Sequence, residues 1–197
     1  MRIWWRQPIT TPTATNSKTA PSIAGTGAEA NAAVTLTAKA TDGTTQTFST
    51  TANASGAWSV DTSSTANSQV ALAANKVWSF TATQTDVVGN TSAVSAAQVV
   101  NYDTAISTPT ISNVADNATT ASKITLAGTG EASNVLGNVT VKVYDGTTYL
   151  GSTTTDFMGG WSYTTPTLST GAHTLKVEQV DAAGNLMTGL TAGINLY

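Results

Sequence analysis

Residues Val34–Thr45 read VTLTAKATDGTT, and this stretch decides the fold class of the chain. Apolar residues alternate with polar ones as far as Thr41, and an Asp-Gly pair follows. Such alternation is typical of a β-strand with one buried face, and Asp-Gly is typical of a hairpin turn. Comparable stretches recur about every eight to twelve residues, as they do in β-sandwiches, and none has a helical apolar stripe. The chain is therefore predicted to be all-β.

The chain also repeats itself. Val139–Thr148 reads VTVKVYDGTT and matches the stretch quoted above. Three further pairs match: GTGAEA (25–30) with GTGEAS (128–133), GAWSV (56–60) with GGWSY (159–163), and QTDVVGN (84–90) with QVDAAGN (179–185). The spacing falls from 103 to 95 residues before the last pair, so the first copy carries an insertion between Asp61 and Trp78. We therefore predict two tandem sandwich domains of about seven strands each, residues 1–103 and 104–197.

The composition excludes several kinds of partner. A hydrophobic content of 40% with five tryptophans indicates a folded chain. The net charge is −3, and eight Lys and Arg residues provide no basic surface for nucleic acid. The chain has no cysteine, so it has neither disulfides nor thiolate metal ligands. No apolar run approaches the length of about 18 residues that a membrane span needs. We expect no nucleic-acid partner and no membrane span.

The second copy resembles a known family. Its segments GTGEAS, VTVKVYDGTTYLGSTTTDFMGGWSY and GAHTLKVEQVDAAGN resemble the bacterial Ig-like repeats of giant, biofilm-associated surface adhesins exported by type 1 secretion. The resemblance covers nearly all of residues 107–197 and, more loosely, residues 15–103. It implies two tandem immunoglobulin-like domains that act as an extracellular, cell-surface spacer, stiffened by calcium and without enzymatic activity. The implied partners are neighbouring Ig-like repeats of the same chain.

Strand order predicts where the acidic residues of the second copy meet. With strands running alternately up and down, the loops at 130–132, 156–160 and 181–185 return to the end at which the linker enters. Asp103, Glu131, Asp156 and Asp181 are therefore the candidate ligands of a Ca²⁺ ion, which prefers hard oxygen ligands. Turn chemistry is the alternative. In that case Asp181 caps a tight turn, Gly184 supplies a positive φ and Asn185 tolerates one.

Weaker candidate ligands lie elsewhere in the chain. In the first copy the matching residues are Glu29 and Asp86, with Asn53 in the place of Asp156 and no acidic residue in the preceding segment. We therefore expect a weak or empty site there. Asp116 follows the first strand of the second copy and is a candidate for a second ion at the far end of that domain.

The remaining distinctive residues have structural interpretations. Trp58 and Trp161 each open a strand and are predicted to fill the space between two sheets. Asp42 and Asp145 belong to the Asp-Gly turns. His173, the single histidine, shares one face of an alternating strand with Leu175 and Val177 and is predicted to be a packed strand residue. No nucleophile and base form a supported catalytic arrangement, so the chain is predicted not to be an enzyme.

Two other functions stay open at this point. The chain could bind a glycan or a host receptor at the array tip through Trp4, Trp5, Tyr149 or the Trp78 loop. It could also be a subunit of a surface or phage filament that makes contacts through its N-terminal segment, MRIWWRQ.

Overall fold

The computed structural model describes residues 8–12, 16–65, 70–114, 118–120, 122–134 and 136–196. The chain divides into two compact units, Met1–Thr104 and Ala105–Tyr197. The boundary predicted from the repeat, between residues 103 and 104, lies one residue earlier. All regular elements in the described ranges are strands, and none is a helix. The predicted all-β fold is confirmed.

The first unit is a sandwich of two sheets. Its strands are β1 (Ile9–Thr11), β2 (Asn16–Ser17), β3 (Ser22–Gly25), β4 (Ala33–Ala40), β5 (Thr45–Thr51), β6 (Trp58–Asp61), β7 (Lys76–Thr85) and β8 (Gln98–Tyr102). One sheet has the order β1-β3-β6 and the other the order β2-β8-β7-β4-β5. The pairs β1–β3, β3–β6, β4–β5, β4–β7 and β7–β8 are antiparallel, whereas β2 lies parallel to β8.

The second unit repeats this arrangement. Its strands are β9 (Ala118–Thr120), β10 (Thr125–Thr129), β11 (Thr140–Asp145), β12 (Thr148–Thr154), β13 (Gly160–Thr164), β14 (Gly171–Val180) and β15 (Leu186–Leu196). The larger sheet has the order β12-β11-β14-β15-β9, and β10 pairs with β13 in the smaller one. The segment before β9 extends the smaller sheet, because Thr110 and Ser112 donate backbone hydrogen bonds to Thr129 and Ala127. In both units the N-terminal segment therefore pairs first with the smaller sheet and then with the larger one.

Alternating side chains build both cores. Val34, Leu36 and Ala38 on β4 are fully buried, as the alternation in the sequence predicts. The corresponding core positions of the second unit are Val141 and Val143 on β11. Trp58 and Trp161 are 4% and 5% exposed, so the prediction that both rings lie between the sheets is confirmed.

The burial of the Trp78 side chain contradicts one expectation from the sequence. A binding role for the Trp78 loop needs an accessible ring, but the Trp78 side chain is fully buried. Its indole N–H donates to the carbonyl oxygen of Ala73 at 2.9 Å. The ring faces inward because Trp78 shares the buried face of β7 with Phe80 and Ala82. Trp78 is therefore a core residue. The other tryptophans of that hypothesis, Trp4 and Trp5, lie outside the described residues.

Candidate metal site and its supporting turns

Three loops meet at one end of the second unit, as the strand order predicts. The N–H of Gly130 donates to the carbonyl oxygen of Gly159 at 2.8 Å, and the N–H of Ser133 donates to that of Asp156 at 3.0 Å. The third loop, at 181–185, follows Gln179 near the end of β14, and the Gln179 side chain accepts a hydrogen bond from the Glu131 N–H at 3.1 Å. A Cβ on Gly159 would lie 2.4 Å from the Gly130 oxygen, so this approach of two backbones requires glycine.

Glu131 and Asp181 are the two predicted ligands that these loops bring close together. Ligand oxygens of the two carboxylates lie within 4.8 Å of each other. Asp181 is only 8% exposed, and Glu131 is half-buried. Two carboxylates at this separation repel each other, and the repulsion is stronger where water is partly excluded. A divalent cation between them would remove that repulsion.

The segment that enters the second unit is bound beside these carboxylates. Glu131 Oε2 accepts a hydrogen bond from the Ser107 N–H at 3.1 Å. Asn185 Nδ2 donates to the carbonyl oxygen of Ala105 at 3.5 Å, and Gln179 Nε2 donates to that of Ser107. Asp103, another predicted ligand, precedes Ala105 by two residues. Its own N–H donates to the carbonyl oxygen of Ser17 at 2.9 Å, and its side chain is half-buried.

Asp156 lies in the same group of loops but has a different set of contacts. Its Oδ1 accepts hydrogen bonds from the N–H groups of Met158 and Gly160, both at 2.8 Å. Among the described residues, Asp156 is not a member of the close carboxylate group that contains Glu131 and Asp181. The structure thus gives the Asp156 carboxylate a role within its own turn.

The repeated Asp-x-x-Gly-Asn phrase folds into one kind of turn in both units. In the second unit, Asp181 Oδ1 accepts the Asn185 N–H at 2.9 Å and Oδ2 accepts the Asn185 side-chain amide at 2.7 Å. In the first unit, Asp86 makes the same two contacts with Asn90 at 2.9 and 2.8 Å. The turn hypothesis correctly assigned a positive φ to Gly184, which has +88°.

One part of the turn hypothesis is wrong. Asn185 does not have a positive φ; among the described non-glycine residues, only Asn31 and Asn75 do. Asn185 is needed instead for its side-chain amide, which donates to Asp181 and to Ala105. The physical reason is that Gly184 alone supplies the left-handed step of the turn, after which the chain returns to an extended conformation.

The same turn geometry occurs at two positions that the repeated phrase does not cover. Asn53 Oδ1 accepts the N–H groups of Ser55 and Ala57, as Asp156 Oδ1 accepts those of Met158 and Gly160. An Asp or Asn with a glycine three residues later is the shared sequence feature. This feature could have identified the turn role of Asp156 from the sequence.

The weaker candidates lie in different places. Hydrogen bonds from Asn90, first from its side chain and then from its backbone, hold the pKa of Asp86 below its usual value. The Glu29 N–H donates to Gln84 Oε1 at 2.7 Å, as Glu131 does to Gln179. Among the described residues, neither Glu29 nor Asp86 belongs to a close group of three possible metal ligands. Asp116 lies outside the described residues.

Sequence reasoning missed Gln179. Its side chain is fully buried, accepts from the Glu131 N–H and donates to the Ser107 carbonyl oxygen. A Cβ on Gly130 would lie 2.2 Å from Gln179 Oε1, which shows how closely the loop covers this amide. The available signal was the glutamine that precedes the aspartate by two residues in both copies of the repeated phrase.

The outer face of the larger sheet in the second unit carries an aromatic group. Tyr149 is 54% exposed, and its ring meets that of Tyr144 edge-on with centroids 5.5 Å apart. Lys176 Nζ lies 4.7 Å from the centroid of the Tyr144 ring and 2.9 Å from Glu178 Oε1. Of the aromatic residues proposed for glycan binding, the structure describes Trp78 and Tyr149, and of these two Tyr149 is accessible.

Membrane insertion by a helix has no support in the described residues, because they form no helix that is long and apolar enough to cross a bilayer.

Comparisons with known proteins place these observations in a family. The model of the bacterial Ig-like domain matches residues 98–195. A solved tetra-tandem repeat from the extending region of a large adhesion protein is 24% identical, with a TM-score of 0.44, and the match covers 98% of this chain and 48% of that one. This chain therefore spans about half the length of that structure.

Two other solved structures are similar at lower identity. The BSP domain of a biofilm associated protein is 16% identical, with a TM-score of 0.36, over 96% of this chain and 29% of that one. The fibronectin(III)-like modules of Clostridium thermocellum CbhA are 15% identical, with a TM-score of 0.43, over 97% and 93%. No curated protein sequence matches the chain. The sequence match to the family model and the two-sheet sandwich agree, and residues 98–195 of this chain belong to the bacterial Ig-like domain family.

Proposed function

We propose that this chain is a non-catalytic, extracellular spacer segment of a bacterial surface adhesin, in which Ca²⁺ stiffens the entrance to the second domain. The observation that carries the proposal is the approach of the Glu131 and Asp181 carboxylates to within 4.8 Å, beside the bound entering segment. The family match and the tandem repeat support the spacer role as an analogy at the level of the fold.

The donor set fits calcium better than other common metals. It consists of carboxylate oxygens, which are hard ligands that Ca²⁺ prefers, and the chain has no cysteine for softer metals. Glu131 and Asp181 supply the pair of charges. Asp103 is the third proposed ligand, since it stands two residues before Ala105 and the chain can separate their Cα atoms by at most about 7 Å. Asp156 is the fourth proposed ligand from the sequence.

Calcium at this position would restrict the joint. The entering segment is bound by the carboxylates and their neighbours. The Glu131 carboxylate binds Ser107, and Asn185, which is hydrogen-bonded to Asp181, binds Ala105. A cation that also binds Asp103 would fix two more residues of the connection. A restricted connection keeps tandem domains extended, which is what a spacer needs in order to hold an adhesive tip away from the cell surface.

Calcium titration tests the proposal. Extracellular calcium modules bind with Kd values of about 10⁻⁴ to 10⁻³ M, so about 10 mM Ca²⁺ should stabilise the second unit by roughly 1.4 to 2.7 kcal/mol. Asp181→Asn keeps an oxygen that can accept the Asn185 N–H but removes the charge, and it should abolish this gain. Asp86→Asn makes the same change in the matching turn of the first unit and should leave the gain intact.

The readouts are calorimetric melting and the maximum dimension from small-angle scattering, each with Ca²⁺ and with EDTA. Both quantities should fall on chelation in the wild type and in Asp86→Asn. If chelation changes neither quantity in the wild type, the carboxylates do not form a calcium site and the repeated phrase serves the turn alone.

Glycan binding is a second candidate function. The accessible Tyr149 ring, beside Tyr144 and Lys176 on the outer sheet face, is the observation that favours it. Aromatic rings next to charged groups on an open surface can stack against sugar rings and bind their hydroxyl groups.

A further inference from the structure

His173 joins two separate parts of the second unit through both of its ring nitrogens. Nδ1 lies 2.6 Å from Asp145 Oδ2, at the end of β11, and Nε2 lies 3.0 Å from the carbonyl oxygen of Ser169. The side chain is about nine-tenths buried, with 10% of its surface exposed. The ring therefore connects the β11–β12 turn to the loop between β13 and β14.

Both partners of the ring are acceptors. A carboxylate oxygen and a carbonyl oxygen have no proton to give, so each contact requires an N–H on the histidine. The neutral ring has one N–H, whereas the imidazolium has two. Only protonated His173 can therefore make both hydrogen bonds.

The first unit makes the corresponding loop contact with a donor that does not titrate. Trp78 occupies the position that matches His173, and its indole N–H donates to the carbonyl oxygen of Ala73 at 2.9 Å. The acceptor lies at a similar distance along the chain in both units: Ala73 precedes Trp78 by five residues, and Ser169 precedes His173 by four. Asp42, the counterpart of Asp145, is paired with Lys76 Nζ at 2.6 Å. The two units thus use the same contact, but only the second makes it through a group that titrates near neutral pH.

We propose that protonated His173 is a pH-dependent latch that holds the Ser169 end of the β13–β14 loop to the β11–β12 turn. When the ring loses a proton, the N–H that remains stays with Asp145, because a hydrogen bond to a carboxylate is the stronger of the two. The Nε2 lone pair then faces the Ser169 oxygen, and the hydrogen bond that holds Ser169 and Thr170 is lost. The rest of the loop stays bound, since the Thr165 N–H donates to the carbonyl oxygen of Ile124 and the N–H of Leu168, directly before Ser169, donates to that of Ser122.

The charges around the ring favour the protonated state. Asp145 raises the pKa of His173 above its ordinary value, chiefly through the hydrogen bond, and the Ser169 carbonyl adds to this, while burial acts in the opposite direction. Among the described residues, β15 and the loop at 165–170 carry no titratable side chain. Lys123 lies on the segment that binds the loop, and Tyr144, Lys176 and Glu178 lie on the outer part of the sheet; none of them contributes to the shift.

The sign of the pH effect follows from this direction. A group whose pKa is raised on folding stabilises the folded state fully below its unfolded pKa, about 6.5, and the effect is lost as pH rises through the higher folded pKa. Between these two values the unfolding equilibrium constant of the second unit should rise by up to about tenfold per pH unit, because one proton is involved.

NMR of the full chain tests the latch, since a single histidine gives one imidazole signal to titrate. We expect a midpoint above 6.5 in the wild type, and backbone amide shifts of Ser169 and Thr170 that follow the same midpoint. Asp145→Asn should lower the midpoint and Asp42→Asn should leave it unchanged. In His173→Gln the Ser169 and Thr170 amides should lose their titration.

Two results would overturn the latch: a wild-type midpoint at or below 6.5, or Ser169 and Thr170 signals that do not titrate with the ring. The wild-type titration decides the matter even if His173→Gln fails to fold.

Discussion

Replacing Gln179 by Met removes the buried amide that connects three parts of the second unit while keeping a side chain of similar length. In the wild type, Gln179 accepts the Glu131 N–H at 3.1 Å and donates to the carbonyl oxygen of Ser107. Methionine offers neither a strong acceptor nor a donor. The Glu131 N–H therefore loses its partner, and the Ser107 carbonyl is released to solvent.

The cost can be estimated from these two contacts. A buried donor without a partner costs about 1 to 3 kcal/mol, and a lost hydrogen bond at a position that water can reach costs about 0.5 to 1.5 kcal/mol. Because Ser107 is exposed, the lower range applies to its carbonyl. We expect Gln179→Met to destabilise the second unit by about 2 to 4 kcal/mol, which corresponds to a fall in Tm of roughly 8 to 30 °C for a domain of this size.

Hydrogen exchange measured by mass spectrometry on the full chain can separate the two units. In Gln179→Met, amides of β11 and β14 should exchange faster by the factor that this free energy implies, and amides of β4 and β7 should not change. Gln84→Met is the matched control, because Gln84 accepts the Glu29 N–H at 2.7 Å in the first unit. Its effect should be confined to that unit.

Two outcomes would refute this account of Gln179. One is a loss of stability below about 0.5 kcal/mol, the size of an ordinary surface substitution. The other is faster exchange in both units after either substitution, which would mean that the amide acts on the chain as a whole.

Two further predictions concern aromatic side chains. Trp161→Ala should destabilise the second unit by about 3 to 5 kcal/mol in urea unfolding, the usual cost of emptying a core aromatic site, and a cost below about 1 kcal/mol would contradict the burial of that ring. Tyr149→Ala should leave stability within about 0.5 kcal/mol, because the ring is largely exposed. If the chain binds glycans through this face, Tyr149→Ala should abolish the signal on a glycan array; a signal that persists unchanged would exclude Tyr149 as the binding residue.

Much of the fold could be predicted from local sequence signals. The alternation at Val34, Leu36 and Ala38 identified a strand with one buried face, since successive side chains of a strand point to opposite sides. The Asp-Gly pairs marked turns, and Gly43 and Gly146 have positive φ values of 88° and 56°. The repeat showed that two copies of one domain are present. These features depend on neighbours in the chain, and for that reason the sequence displays them directly.

The candidate site could be predicted in part. Strand order was enough to place the loops of Glu131, Asp156 and Asp181 at one end of the second unit, because loops of alternating strands return to the same end. The separation of individual carboxylates could not be obtained in this way. The exposed Trp78 loop was the wrong expectation, because Trp78 shares the buried face of β7 with Phe80 and Ala82, as the alternation of apolar and polar residues in the sequence already indicated.

The sequence by itself determined the strands, the turns, the repeat, the absence of cysteine and the absence of a basic surface. Only the tertiary structure decided which side chains act together: Glu131 with Asp181, Gln179 with Ser107, and His173 with Asp145 and Ser169. Most of these partners lie tens of residues apart in the chain. Local propensity has no influence over such distances. The packing of two sheets, in contrast, fixes the positions of their loops closely enough for side chains on different loops to form hydrogen bonds.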